Sequence, residues 1–230
     1  MRRAESRASH TPGPAASLPA RLAGQEAGFS VIELLISLLI LTVLSGMAMS
    51  LLVSAQRSLQ GRLSSSTTLD QGLRAVSGMS RELRMAGFPS AKSFSATTVT
   101  SHPGLVATPF VTASAYDVKF EADTDGDGQV EQLEYVLDPG SQALIRRRTL
   151  KNLDGTLATS TLVSTIFLDR VQNQLLSQWL FSWDLDPYST LPFPQNIRTI
   201  YVNLVVKPAG TQGGVGPSVT LAAACQRMNP

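Results

Sequence analysis

Between Phe29 and Val53 the chain reads FSVIELLISLLILTVLSGMAMSLLV, 25 residues in which Glu33 is the only ionisable side chain. As a helix rising 1.5 Å per residue, this stretch reaches roughly 37 Å, enough to cross a hydrocarbon core of about 30 Å. Beyond it the apolar positions thin out to Leu59, Leu63, Val76, Met79 and Leu83, whose helical spacing predicts one apolar face on a continuing amphipathic helix. Arg81-Glu82-Leu83-Arg84 prolongs that helix, and Gly87 and Pro89 supply its stop. Unbroken from Ser30 to Ala86 it would run roughly 85 Å, with Gly46, Gly61, Gly72 and Gly78 as places for bends.

After Pro89 the helical period gives way to short alternating stretches bounded by Gly, Pro, Asn and Asp. These predict strands at Tyr116 to Ala122, Gln129 to Leu137, Ala143 to Leu150, Thr161 to Leu168, Trp179 to Trp183 and Ile197 to Val206. An antiparallel meander is the economical way to join them. The Ser/Thr/Ala-rich stretch Ser90 to Ser114 and the Gly/Pro-rich stretch Pro208 to Ser218 read as loops with short edge strands. The expected fold class is therefore α+β, with the far half of the long helix covering one side of an antiparallel sheet.

Composition narrows the function. Of 230 residues, 43% are hydrophobic and 16% charged, which excludes disorder throughout. The net charge of +2 excludes the dense basic surface of a nucleic-acid binder. Much of the basicity sits before the apolar run, where Arg2, Arg3, Arg7 and Arg21 outnumber Glu5 and Glu26. Cys225 is the only cysteine, so an intrachain disulfide or a thiolate zinc site cannot form. With His10 and His102 as the only histidines and no nucleophile motif beside either, an enzyme is not expected.

Residues 1–28 are polar and basic, and by the positive-inside rule stay cytoplasmic, although Arg57 and Arg62 follow the span. A secretory signal peptide has a shorter apolar core with small residues after it, whereas Ala27-Gly28 precede this one. A plain anchor explains the length but leaves Glu33, an acid four residues into the span, without a partner.

The octapeptide Gly28-Phe29-Ser30-Val31-Ile32-Glu33-Leu34-Leu35 resembles the processing motif of type IV prepilins and type II secretion pseudopilins. That resemblance implies cleavage between Gly28 and Phe29 by a membrane aspartyl prepilin peptidase, followed by N-methylation of Phe29. It also implies an assembly role for Glu33, whose carboxylate would neutralise the new Phe29 amine of a neighbouring subunit and set axial register. The parts would then be a leader at 1–28, a transmembrane helix at 29–53, its amphipathic continuation at 54–88 and a β-rich pilin domain at 89–230. The segment Arg81 to Pro89, then Val171-Gln172-Asn173, Trp179 to Asp184 and Ile197 to Val202, are similar to PilW-type minor pilins. The implied function is a minor pilin of type IV pilus assembly, with a J-like pseudopilin of a type II secretion system as the alternative and an anchored calcium-binding domain as a third. Implied partners are the prepilin peptidase/methyltransferase, other major and minor pilins, the inner-membrane assembly platform and a tip adhesin. The implied location is the inner membrane, N-terminus cytoplasmic and domain periplasmic, and then the pilus.

One further pattern carries chemistry. The run from Asp123 to Glu134, DTDGDGQVEQLE, has the spacing of a twelve-residue calcium loop: Asp123, Asp125, Asp127, Glu131 and Glu134 as carboxylates, Gln129 through its carbonyl, Gly128 at the sharp turn and Val130 toward a core. Its flanks alternate like strands, so an EF-hand domain is not expected. Three outcomes stay open: the full Ca²⁺ ligand set, the three aspartates alone with Glu134 drawn onto a strand, or a hydrated Asp-Gly hairpin turn. Eight acids between Asp117 and Asp138 would repel one another there. Arg146-Arg147-Arg148 reads as a solvated edge with gatekeeper charges. The glycines from Gly210 to Gly216 read as a flexible turn, Trp179, Phe181 and Trp183 as strand face and core, and Cys225 as a free thiol near a polar end.

Overall fold

The structure is a computed structural model that describes residues 29–208 and 218–228. The leader, the 210–216 glycine run and His10 lie outside the described residues. The chain divides into two compact units between Leu52 and Val53.

In the first unit, helix α1 begins at Val31 and its apolar side chains there are exposed throughout, Val31 by 78% and Leu51 by 72%. A soluble helix could not leave such a surface bare; this segment is long and apolar enough to cross a membrane. α1 as a whole spans Val31–Arg84 without interruption, so the expected bends at Gly46, Gly61, Gly72 and Gly78 do not break it. Its Ser/Thr run, a poor helix former, is accommodated because the hydroxyls bond back into the helix: Ser65 Oγ and Thr68 Oγ1 donate to the carbonyls of Gly61 and Ser64.

Within the second unit the buried face of α1 is Thr68, Gly72, Ala75, Val76, Met79 and Leu83. Leu59 and Leu63, expected on that face, are exposed; the sheets begin to cover the helix only from Thr68 onward. The helix ends where Gly87 takes φ +83° and donates its N–H to the Glu121 carbonyl at 2.8 Å. A Cβ there would meet Pro109 at 3.0 Å, which is a second reason for glycine.

The expected single meander is two sheets. The first has the order β1(Thr112–Ala113), β2(Asp117–Ala122), β3(Glu131–Asp138), β4(Ala143–Leu150) and β5(Val163–Leu168); the second has β6(Phe181–Leu185), β7(Ile197–Val206) and β8(Val219–Gln226). All pairings are antiparallel. Six strands fall where alternation predicts them; β8 does not, because VTLAAACQ alternates small residues instead of large ones. Cys225 sits on β8, buried in the core, so it is not at a polar end, and burial pushes its thiol pKa up. The stretch expected as a loop after Ser90 contains a short helix α2(Ala96–Ser101), capped by Ser95 Oγ accepting from the Thr98 N–H.

Both sheets and the α1 face share one core, with Met79, Leu83, Phe120, Leu133, Tyr135, Phe181, Ile200 and Leu204 almost wholly buried. Burial on β3 alternates strictly: Glu131, Leu133, Tyr135 and Leu137 point inward. Phe181 is core and Trp183 packs on Phe193, ring centroids 5.6 Å apart, but Trp179 is 63% exposed and precedes the strand.

Candidate assembly helix and acidic turn

Two places carry functional chemistry, one in each unit. At the first, the Ser30 carbonyl accepts from the N–H groups of Glu33 (2.9 Å) and Leu34 (3.1 Å), opening α1 just before Val31. Glu33 therefore stands in the first helical turn, where an acid is favoured by the unpaired N–H groups and the helix dipole. Its carboxylate is exposed among apolar neighbours, one turn from Phe29. The Gly28 side of the expected cleavage bond lies outside the described residues. In hydrocarbon a lone carboxylate is costly, and a cationic amine is the partner that removes the cost.

The second place is the hairpin turn between β2 and β3. Asp123, Asp125 and Asp127 each offer an oxygen, and these oxygens lie within 4.8 Å of one another. Asp123 is buried and anchors the turn: its Oδ1 accepts from the Gly126 N–H at 2.7 Å and its Oδ2 from the Gly128 N–H at 3.0 Å. Gly126 and Gly128 both have positive φ, +77° and +84°, which only glycine adopts without strain. Asp127 Oδ1 accepts from the Gln129 N–H at 2.7 Å, and Val130 is buried beneath the turn.

The two expected glutamate ligands are held elsewhere. Glu134 points to the opposite face of β3, paired with Lys119 at 3.1 Å and Arg147 at 3.2 Å. Glu131 is fully buried; it accepts from Thr124 Oγ1 at 2.5 Å and pairs with Arg148, whose Nη2 also reaches Asp125 Oδ2 at 2.8 Å. The three aspartates thus form the oxygen cluster, and Glu131 and Glu134 are counter-ions of β4.

The arginine run is not a solvated edge. β4 lies between β3 and β5, and Arg146, Arg147 and Arg148 each meet an acid, Glu82, Glu134 and Glu131 respectively. Glu121 is paired likewise with Lys151 at 2.8 Å, both nearly buried. Four of the eight hairpin acids, Glu121, Asp125, Glu131 and Glu134, are thus paired with cations, which offsets part of the expected repulsion. The run of arginines opposite Glu131 and Glu134 was the signal for this. It becomes readable only once the β3–β4 register, Glu134 opposite Arg147, is known.

Over residues 24–49 the chain matches the family described as the prokaryotic N-terminal methylation motif. No curated protein and no solved structure matches the chain. The matched stretch holds Gly28, Phe29 and Glu33 and runs into the exposed apolar part of α1, which supports anchoring in a membrane. The N-terminal methylation motif indicates a type IV pilin-like or pseudopilin protein.

Proposed function

We propose that this protein is a minor type IV pilin, cut between Gly28 and Phe29, N-methylated at Phe29 and used in initiating or assembling a pilus. The observation that carries the reading is the methylation motif at residues 24–49 laid over the first part of α1, residues 31–52, whose apolar residues are all exposed and whose only acid is Glu33. Lateral packing of such helices in a filament would cover that surface, and pairing Glu33 with a neighbour's Phe29 amine would neutralise two charges that are each costly alone. The β-rich unit would then face other minor subunits or an adhesin. A J-like pseudopilin of a type II secretion system shares this N-terminus and is the alternative within the same superfamily.

The test is mass spectrometry of the N-terminal peptide after coexpression with a prepilin peptidase. A peptide beginning at methylated Phe29 in the wild type and absent from Gly28→Ala supports the reading. An intact leader in both rejects it in favour of a plain anchored domain. Affinity capture with pilus-platform or secretion-platform proteins then separates pilin from pseudopilin.

We propose in addition that the Asp123, Asp125 and Asp127 turn takes Ca²⁺. Three carboxylate oxygens within 4.8 Å of one another match the spread of oxygens around a cation that holds them at 2.3–2.6 Å. Hard oxygen donors of this kind favour calcium over softer metals.

A further inference from the structure

At the end of the β-rich unit where β8 finishes, Arg227 is 8% exposed and lacks an ion pair among the described residues. Its Nη1 donates to the Gln195 carbonyl at 3.1 Å, which fixes the plane of the guanidinium, while its buried Nε–H has no acceptor. A buried cation with an unmet donor is costly, and burial pushes its pKa down, with Asp186 acting in the opposite direction. Nη2 is left without a hydrogen bond among the described residues, and it is the guanidinium nitrogen on which a carboxylate makes a charge-assisted hydrogen bond.

Arg227 lines a groove of about 640 Å³ together with residues of the segments Gly87 to Lys92, Val106 to Pro109 and Asp186 to Gln195. The volume lies in the range of sites for small ligands and peptide side chains. Lys92 adds a second cation to the groove, and exposed Arg198 lines the adjoining depression beside Tyr188 and Arg227. Asp186 is the only acid on either lining, and its Oδ1 is engaged by the Tyr188 N–H at 3.0 Å. Tyr188 itself is 91% exposed, a ring standing at the rim.

We propose that this groove is a docking site for an acidic peptide segment of a partner protein, with one carboxylate seated on the Arg227 guanidinium through Nη2. The excess of cations over Asp186 selects the charge of the partner. The inference does not depend on cleavage at Gly28.

The test uses the full chain in detergent micelles, with ¹⁵N-labelled arginine and constant ionic strength. The Arg227 Nε–H resonance is identified by its loss in Arg227→Lys. Titration with acetyl-Asp-Glu-Asp-Glu-amide is expected to shift it saturably, and acetyl-Asn-Gln-Asn-Gln-amide to leave it in place. Arg227→Lys should weaken the acidic peptide at least fivefold and Arg198→Gln less than twofold. Asp186→Asn keeps the guanidinium and the Tyr188 hydrogen bond, and should tighten binding two- to fivefold even if the Arg227 variant folds poorly. The proposal is overturned by an unsaturable shift, by equal losses in the two arginine variants, by no gain in Asp186→Asn, or by acetate reproducing the shift at the same carboxylate concentration.

Discussion

The Tyr135 hydroxyl donates to Glu82 Oε2 at 2.6 Å, and Arg146 clasps the same carboxylate from Nε (3.0 Å) and Nη2 (2.9 Å), so one acid on α1 holds two neighbouring strands. Tyr135 and Arg146 are register partners on β3 and β4, which is why both can reach it. Glu82 and Arg146 are each about one-fifth exposed, so Glu82→Gln strands a largely desolvated guanidinium and is expected to cost about 2–4 kcal/mol. Tyr135→Phe removes only a hydrogen bond to a charged group and should cost about 1.5–3 kcal/mol. Thermal melts of the full chain in detergent check both. Burial foremost, and Glu82 next, push the Tyr135 pKa well above the ordinary phenol value. Its contribution is complete below the unfolded pKa and is lost as pH rises toward the folded one, so the wild type should lose stability above about pH 10 and Tyr135→Phe should lose less.

Asn173 is wholly buried and serves β7 from the preceding loop: its Nδ2 donates to the Asn203 carbonyl at 2.5 Å and its Oδ1 accepts from the Val205 N–H at 2.8 Å. Replacement by leucine keeps the volume but orphans two strand groups, at an expected cost of about 3 kcal/mol. Hydrogen exchange at the Val205 amide should become faster than global opening allows, through local exposure; unchanged protection there would refute the assignment.

The elements most legible in the sequence were those whose pattern is local. The apolar run with Glu33 marked α1, and two-residue alternation marked β2 through β7 to within about two residues. Asn173 could be quoted but not interpreted, because its partners are 30 and 32 residues away. β8 escaped because Ala222 and Ala224 give alternation without hydrophobic contrast. The same limit governed the acidic turn. Asp123, Gly126 and Gly128 act within six residues and were readable, whereas the diversion of Glu131 and Glu134 to Arg148 and Arg147 depends on which strand lies beside β3. Leu59 and Leu63 have core spacing, yet no local signal tells where the sheets stop covering the helix.

Asp117 is expected to destabilise the fold at neutral pH. Its Oδ1 is buried without a hydrogen-bond partner, and burial, with Glu134 adding to it, raises its pKa despite Lys119 and Arg147. A carboxyl whose folded pKa lies above its unfolded value contributes most favourably below the unfolded pKa, and that contribution is lost as pH rises through the folded one. Asp117→Asn should therefore raise Tm at pH 7 and give a shrinking advantage as pH falls through the carboxylate range. An advantage that grows on acidification would reverse this reading.

Calcium at the acidic turn should compete with Arg148, since both draw on Asp125. Arg148→Gln frees that carboxylate, and so should tighten Ca²⁺ while lowering the stability of the calcium-free protein through unpaired, buried Glu131. If the wild-type site has a dissociation constant on the order of 10⁻⁴–10⁻³ M, saturating at ten times that value adds about 1.4 kcal/mol, visible as a rise in Tm that chelator reverses. Asp125→Asn with Asp127→Asn should abolish the rise without changing the calcium-free stability by more than about 0.5 kcal/mol, and a calcium response surviving in that double variant would locate the ion elsewhere.

On the proposed pilin reading, Glu33 is expected to separate the processing of this protein from its assembly. The carboxylate lies one turn beyond the expected cut, so Glu33→Gln should leave the Gly28–Phe29 bond a substrate for the peptidase while removing the charge that answers the new amine. Its expected phenotype is a mature, membrane-bound protein that fails to enter filaments, whereas Gly28→Ala should be neither cut nor assembled. A conservative change sharpens the distinction. Glu33→Asp keeps the sign with a shorter reach and should restore part of the incorporation, measured as the fraction of mature subunit recovered in sheared filaments. If the amine and the acid pair between subunits, incorporation of Glu33→Gln should also fail to recover at any expression level. The defect would then be an unpaired Phe29 amine in hydrocarbon, which mass action on subunit concentration does not remove.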